Sequence, residues 1–252
     1  MTAEPDDPAP ARDGAPPEAG PGAVDRPGGD DDATGATSET VVRLRGVVAV
    51  LGRYPALAGV DLDVCRREVL LLRGPNGAGK TTVLRLCAGL LPLARGTAHI
   101  LGHDLDGERE LLRPHVGLLG HQNGLYLDLT VAENVRFWGA TVGATDAEID
   151  AAMERLGVGG RLADVPVRRL SAGQRRRTAL AGIVARRARL WLLDEPHAGL
   201  DATGRDELDA TLRQAAASGA TIMVASHELE RAGALATRTV DVVAGQIQGT
   251  VS

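Results

Sequence analysis

The sequence predicts an α/β protein built around a mostly parallel β-sheet. Three observations carry that reading. Apolar runs at 68–73 (EVLLLR), 190–193 and 221–225 have the length and near-continuous hydrophobicity of strands buried on both faces. Helical patterns stand between them, at 81–90, 173–187 and about 202–217. A glycine-rich stretch, GPNGAGKTT at 74–82, joins the first of these strands to the first of these helices.

A segment of different composition precedes this body. Residues 1–40 hold ten acids, two arginines and seven of the 13 prolines, with almost no large apolar side chain. Such a segment buries too little surface to offset its conformational entropy, so residues 1–39 are expected to be a disordered acidic tail ahead of one domain at 40–252. The order of residues is not that of a signal peptide. The segment carries −8 and the whole chain −5, so residues 41–252 carry +3. A body so nearly balanced gives no reason to expect nucleic acid as a partner. No apolar run approaches the roughly 18 residues that cross a bilayer. Cys65 and Cys87 sit in apolar contexts without metal-ligand spacing, which fits buried thiols in a reducing compartment.

Taken in order, residues 41–64 read as short strands with a turn near Gly52. The helix at 81–90 has apolar residues at 83, 84, 86, 87 and 90 and stops before Pro92. Thr145-Asp146-Ala147-Glu148 is a capping-box pattern. It opens a helix with Ile149, Met153 and Leu156 on one face, ended by Gly157. Residues 240–249 read as a hairpin turning at Ala244-Gly245.

The glycine-rich stretch fits G-x-x-x-x-G-K-[ST] in the context that motif requires, a strand before and a helix after. Gly74, Pro75, Asn76, Gly77, Ala78 and Gly79 would wrap closely enough for successive N–H groups to point at phosphate oxygens. The helix start, through Thr82, adds partial positive charge. Lys80 would reach the β- and γ-phosphates of ATP, and the Thr81 hydroxyl would bind Mg²⁺. Lys80 is the only lysine among the 28 Lys and Arg residues. An ammonium is a compact charge on a thin stem, whereas a guanidinium is a wide planar fork, so a loop sized for phosphate selects the former.

Residues 188–196, ARLWLLDEP, form an apolar strand ending in two acids. Asp194 can hold Mg²⁺ through water, and Glu195 can orient or polarise an attacking water. LSAGQ at 170–174 differs from LSGGQ only at Ala172. With these motifs in this order the chain resembles the ATP-binding-cassette (ABC) ATPases over about residues 41–252. The resemblance implies a P-loop NTPase fold: a RecA-like parallel sheet core, an N-terminal antiparallel β-subdomain and an α-helical signature subdomain at about 123–182. It also implies a homodimer that sandwiches ATP. In it the signature of one subunit (Leu170, Ser171, Ala172, Gly173, Gln174) meets the γ-phosphate on the phosphate loop of the other, through Ser171 and the Gly173 backbone. A helix start offers N–H groups to an anion in any case. Without the family, Ser171 is simply a helix N-cap. AGLDA at 198–202 is similar to the D-loop, with Asp201 working across the dimer interface. VASHE at 224–228 is similar to the switch segment, which makes His227 a contact of the γ-phosphate. The implied catalytic set is Lys80, Glu195 and His227, and the implied Mg²⁺ set is Thr81, Asp194 and Gln122.

Two departures stand out. In VGLLGHQNGLYLDLTV, 116–131, the Q-loop glutamine is either replaced by His121 or shifted to Gln122. Where the family has an aromatic residue stacking on adenine, this chain has Leu51, with Tyr54 three residues on as a possible substitute. GHQNGL at 120–125, LSAGQRRR at 170–177 and the missing aromatic together resemble the ATPase of the cytochrome c maturation haem exporter. That resemblance implies integral membrane subunits on separate chains, a peripheral place on the cytoplasmic face of the membrane, and haem export or release of a haem-loaded chaperone. The residues themselves show no haem site: His99, His103 and His115 are scattered and no Cys-x-x-Cys-His occurs. An ATPase for a drug or lipid exporter, and a non-transport ABC protein, are the alternatives. A kinase or GTPase would lack the signature. Phe137 and Trp138 read either as local core or as a partner contact.

Overall fold

A computed structural model describes residues 39–251. The acidic tail expected over 1–39 lies outside the described residues, except for Glu39, whose carboxylate pairs with Arg66 at 2.9 Å. In chain order the elements are β1 (Thr40–Leu51), β2 (Tyr54–Cys65), β3 (Val69–Arg73), α1 (Lys80–Cys87), β4 (Arg95–Ile100), β5 (His103–Asp104), α2 (Arg109–Leu112), β6 (Val116–Leu119) and α3 (Val131–Ala140). Then come α4 (Asp146–Arg155), α5 (Ala172–Ala185), β7 (Leu190–Asp194), α6 (Ala202–Ala217), β8 (Thr221–Ala225), α7 (Leu229–Leu235), β9 (Arg238–Val243) and β10 (Gln246–Val251).

The central sheet has the order β10-β9-β3-β8-β7-β6. Its pairs from β9 to β6 are parallel, and β10 closes one edge as an antiparallel hairpin partner of β9. Strand side chains alternate between two cores. Leu70, Leu72, Leu190, Leu192, Met223 and Ala225 join one core with α1 and the antiparallel strands. Val69, Leu71, Trp191, Leu193, Ile222 and Val224 join the other with α3, α4, α5 and α6. Burial on both faces is why these strands read as unbroken apolar runs. A second, antiparallel sheet has the order β2-β1-β4-β5.

The parallel register has a direct consequence for function. β3, β6, β7 and β8 all end on one edge of the sheet, so the loops that follow them converge there. In open α/β sheets that carboxyl edge is where ligands bind.

Some boundaries differ from the sequence reading for identifiable reasons. Residues 41–64 are not short strands but most of two strands of 12 residues each. Register shifts between Leu44 and Val47 and between Ala49 and Val50 interrupt the alternation that would mark a long strand. The helix read at 81–90 ends at Cys87, because Gly89 turns left-handed and Leu90 N–H bonds back to the Arg85 carbonyl. β4, β5, β6, α2 and α7 have no counterpart in the sequence reading, and α3 enters it only as an unspecified part of the helical subdomain expected at about 123–182. α3 has a clear local cue, a capping box between Thr130 and Glu133 like the one at Thr145 and Glu148.

Candidate active site

The phosphate loop is built by close backbone approach. A Cβ on Gly74 would lie 2.1 Å from the Val242 carbonyl oxygen, and Gly74, Gly77 and Gly79 all have positive φ. Pro75, Asn76 and Ala78 complete the turn, and α1 starts at Lys80 with Thr81 and Thr82 in its first turn. That first turn has no side-chain cap and no acid, so its N–H groups are free for an anion. Lys80 is 8% exposed. Its Nζ donates to the Gly74 carbonyl at 2.7 Å and the Pro75 carbonyl at 3.0 Å. Behind the loop, Gly245 at the β9–β10 turn donates its N–H to the Ala78 carbonyl at 2.8 Å and accepts from Ala58 N–H at 2.8 Å. The C-terminal hairpin is therefore a wall of the loop.

β7 and β8 deliver the acid–base groups. Asp194, at the end of β7, accepts a hydrogen bond from the Thr81 hydroxyl at 2.8 Å. The next residue, Glu195, has φ +49 and donates its N–H to the Ala225 carbonyl at 2.8 Å. Its Oε2 lies 2.8 Å from His227 Nδ1, just past β8. Hydrogen bonding to Glu195, then its charge, raises the His227 pKa above the ordinary value, and Lys80 pushes weakly the other way. The three catalytic candidates thus meet at one edge, with His227 holding Glu195.

The signature stands apart. Ser171 caps α5: its hydroxyl accepts from Gln174 N–H at 3.2 Å, and the Gln174 side chain accepts from Ser171 N–H at 2.9 Å. Leu170 is buried, Ser171 and Ala172 are exposed, and Gly173 is half-buried with the Gly199 carbonyl beside it. Among the described residues, no hydrogen bond joins 170–174 to the phosphate loop. Asp201 caps α6 by accepting from Gly204 N–H at 2.9 Å. His121 and Gln122 are both exposed, and neither side chain has a hydrogen-bond partner among the described residues. Leu51 and Tyr54 are paired across the β1–β2 turn, with Tyr54 80% exposed.

Thr81 and Asp194 pass a chemical test for Mg²⁺. They present hard oxygen donors side by side, the small protein share that Mg²⁺ takes when phosphates and water supply the rest. Among the described residues no group of three or more His, Cys, Asp or Glu could hold a metal without such help. Of the two thiols, Cys87 is buried, which pushes its pKa up to about 12, and Cys65 is half-buried.

Two side chains at this edge escape the sequence reading. His197 is 1% exposed, two residues beyond Glu195, with Nε2 2.7 Å from Asp209 Oδ1 on α6. Asp209 in turn accepts from Arg231 on α7 at 2.5 Å, so α6 joins the turn after β7 to the helix after His227. No local pattern announces a pair that α6 assembles. The other is Arg176 on α5, whose guanidinium donates to the carbonyl groups of Asp194, Glu195 and Pro196. Two neighbouring arginines hide it in the sequence.

Comparison with known proteins adds the following. The ABC transporter family model matches residues 57–198. A Rhodopseudomonas palustris (strain BisB18) protein, the cytochrome c biogenesis ATP-binding export protein CcmA, is 41% identical over 184 residues, covering 73% of this chain and 90% of that one. The protein of that name from Bordetella bronchiseptica is 38% identical over 207 residues, covering 81% and 92%. A solved ATP-binding subunit of an ABC transporter superposes with a TM-score of 0.78 at 25% identity, over 84% of this chain and 90% of that chain. A dimeric bacterial ABC transporter cassette superposes with a TM-score of 0.77 at 23% identity, over 84% and 98%, a likeness of fold.

Proposed function

This chain belongs to the ABC transporter family and, within it, to the cytochrome c biogenesis ATP-binding export proteins; it is an ATPase subunit, and we propose that it drives haem export or haem-chaperone release through membrane subunits on other chains. The observation that supports the ATPase part of this reading most directly is the sheet edge that gathers Lys80, Thr81, Asp194, Glu195 and His227, and the export part rests on the relatives. That is the set ATP hydrolysis needs: phosphate clamp, metal ligands, water-aligning base and a cation for developing charge.

In the proposed cycle the Lys80 ammonium leaves the Gly74 and Pro75 carbonyls for the β- and γ-phosphates of ATP. It keeps its hydrogen bonds in the exchange. The loop amides and the open first turn of α1 take the remaining phosphate oxygens. Thr81 and Asp194, with Gln122 or His121, would hold Mg²⁺, which when bound neutralises charge on the β- and γ-phosphates. Glu195 uses Oε2 for His227 and has Oε1 without a protein partner among the described residues, so Oε1 can accept from a water and align it. His227 then passes from Glu195 to the γ-phosphate. Ser171 and Gly173 of a second subunit close the site from the opposite side, head to tail, with Asp201 at the interface. The absence of any hydrogen bond between 170–174 and this chain's own loop, among the described residues, supports that arrangement.

No helix among the described residues is long and apolar enough to cross a membrane. The path for cargo therefore belongs to partners in this reading, and the chain sits on the cytoplasmic face of the membrane. A groove of about 610 Å³, lined in part by His121, Gln122, Arg113, Trp138, Ile183 and Arg186, offers them a seat. Beside it Tyr126, Phe137 and Trp138 stack edge to face, with centroids 5.1 Å apart in each pair. Phe137 is exposed and Trp138 half-buried, which favours partner contact over local core for this pair.

Two measurements test the reading. Tagged chain purified from detergent-solubilised membranes should carry integral membrane subunits in fixed ratio. A strain whose only copy is Glu195→Gln should lose covalently haem-stained c-type cytochromes. A full set of those cytochromes in that strain would overturn the haem assignment.

A further inference from the structure

Arg176 lies two residues beyond the signature, on α5, and is 6% exposed. A guanidinium has five N–H donors, and each has an acceptor here. Nε donates to the Pro196 carbonyl at 3.0 Å. One terminal nitrogen donates to the Asp194 carbonyl at 2.5 Å and to the Glu195 carbonyl. The other faces the Gly120 carbonyl at 3.4 Å and Asn123 Oδ1 at 3.3 Å. The flanking arginines do something different. Arg175 holds the carbonyls of Val167 and Arg168, and Arg177 pairs with Glu207 at 3.3 Å.

Three successive carbonyls, 194 to 196, therefore converge on one buried cation. Those carbonyls would otherwise repel one another in a turn that has few other partners. The middle one belongs to Glu195, whose left-handed backbone is one that residues with a Cβ adopt reluctantly. Burial draws the Arg176 pKa down, and Asp194 and Glu195 draw it back up. Gly120 and Asn123, on the far side of the fork, line the groove beneath α3 and α5.

We propose that Arg176 is a positioning residue, which fixes the backbone of Glu195 so that its carboxylate meets water in line and ties that backbone to the Q-loop at Gly120 and Asn123. The proposal rests on Glu195 as the water-aligning group. It goes further in naming what holds Glu195 in place and by what path the groove reaches it. Lysine could not substitute, because a point charge with three donors cannot span five acceptors in two directions.

The test is steady-state ATPase kinetics on the full chain and on Arg176→Lys, Arg176→Ala, Asn123→Ala and the Arg176→Lys/Asn123→Ala double variant. Binding of a fluorescent ATP analogue and thermal melting are followed in parallel. Arg176→Lys should lower kcat by about tenfold or more while KM for ATP moves less than about twofold. Free guanidinium ion at a non-denaturing concentration should restore part of kcat to Arg176→Ala. Asn123→Ala, which leaves the buried cation in place, should lower kcat by about threefold, and the double variant should be no worse than Arg176→Lys alone. Wild-type kcat in Arg176→Lys, additive losses in the double variant, or parallel loss of kcat, ATP binding and melting temperature would each overturn the proposal. If Arg176→Ala does not fold, Arg176→Lys and Asn123→Ala decide it. Normal turnover in Glu195→Gln would instead remove the premise about Glu195, and does so independently of the Arg176 variants.

Discussion

Two nearly buried cations sit at the same sheet edge and are held in opposite ways. Lys80 donates two of its three N–H groups to carbonyls of its own loop. Arg176 has all five engaged, on two segments far from it in sequence. The first arrangement can be exchanged for phosphate oxygens at small net cost, because each hydrogen bond lost is replaced. The second is costlier to release, because the buried Pro196 carbonyl has no other hydrogen-bond partner among the described residues, although the Glu195 carbonyl would keep Ala198 N–H at 3.1 Å. In the proposed cycle a mobile point charge serves the substrate, and a fixed planar fork serves the scaffold. In a chain that is otherwise arginine at every basic position, Lys80 marks the place where compactness matters more than donor number.

That contrast can be broken most forcefully at Lys80. Lys80→Arg keeps the charge, yet is expected to lose ATP binding and to reduce hydrolysis by about a hundredfold or more. An active Lys80→Arg protein would show that the loop accepts a fork and would end the comparison. Next in size, Glu195→Gln should cost about a hundredfold in turnover while ATP still binds, and the protein should accumulate as an ATP-bound dimer on size exclusion. The loss of roughly tenfold expected for Arg176→Lys comes below these, because its charge stays and only its geometry goes.

Smaller effects sharpen the edges of the site. With Leu51 at the expected adenine-stacking position and Tyr54 exposed beside it on the β1–β2 turn, stacking on adenine is expected to be weak, a loss of about 1 kcal/mol. Competition binding should then show ATP and GTP within roughly tenfold of each other; a strong ATP preference would point to Tyr54 folding over the base. The smallest effect concerns pH. His227 should titrate above the ordinary histidine value, because Glu195 accepts from it and carries negative charge. The charged pair is complete below that raised pKa and is lost as pH rises through it. NMR titration of the imidazole should show the midpoint fall toward the ordinary value in Glu195→Gln. An unchanged midpoint would mean the two side chains do not pair in solution.

The contrast also explains what could be read from the chain itself. The phosphate loop, the Asp194-Glu195 strand end and the LSAGQ helix start were legible because each is contiguous. Their chemistry is set by local backbone geometry, and local geometry follows from glycine placement and cap residues. Strands β3, β7 and β8 were legible because burial on both faces leaves an unbroken apolar run. β1 and β2 looked shorter than they are because bulges break their alternation. Residues 116–119 did not show β6, since a strand of four residues carries too little periodicity.

The sequence by itself determined that this chain has an α/β fold with a phosphate loop, a strand-end acid pair and a signature helix, because those are short-range patterns. Only the tertiary structure decided which of three adjacent arginines reaches the turn at 194–196. It alone paired His197 with Asp209, and it alone set the C-terminal hairpin against the phosphate loop. Arg175, Arg176 and Arg177 are chemically identical in sequence; the packing of α5 turns one of them inward, and a buried cation must find acceptors wherever the fold brings them.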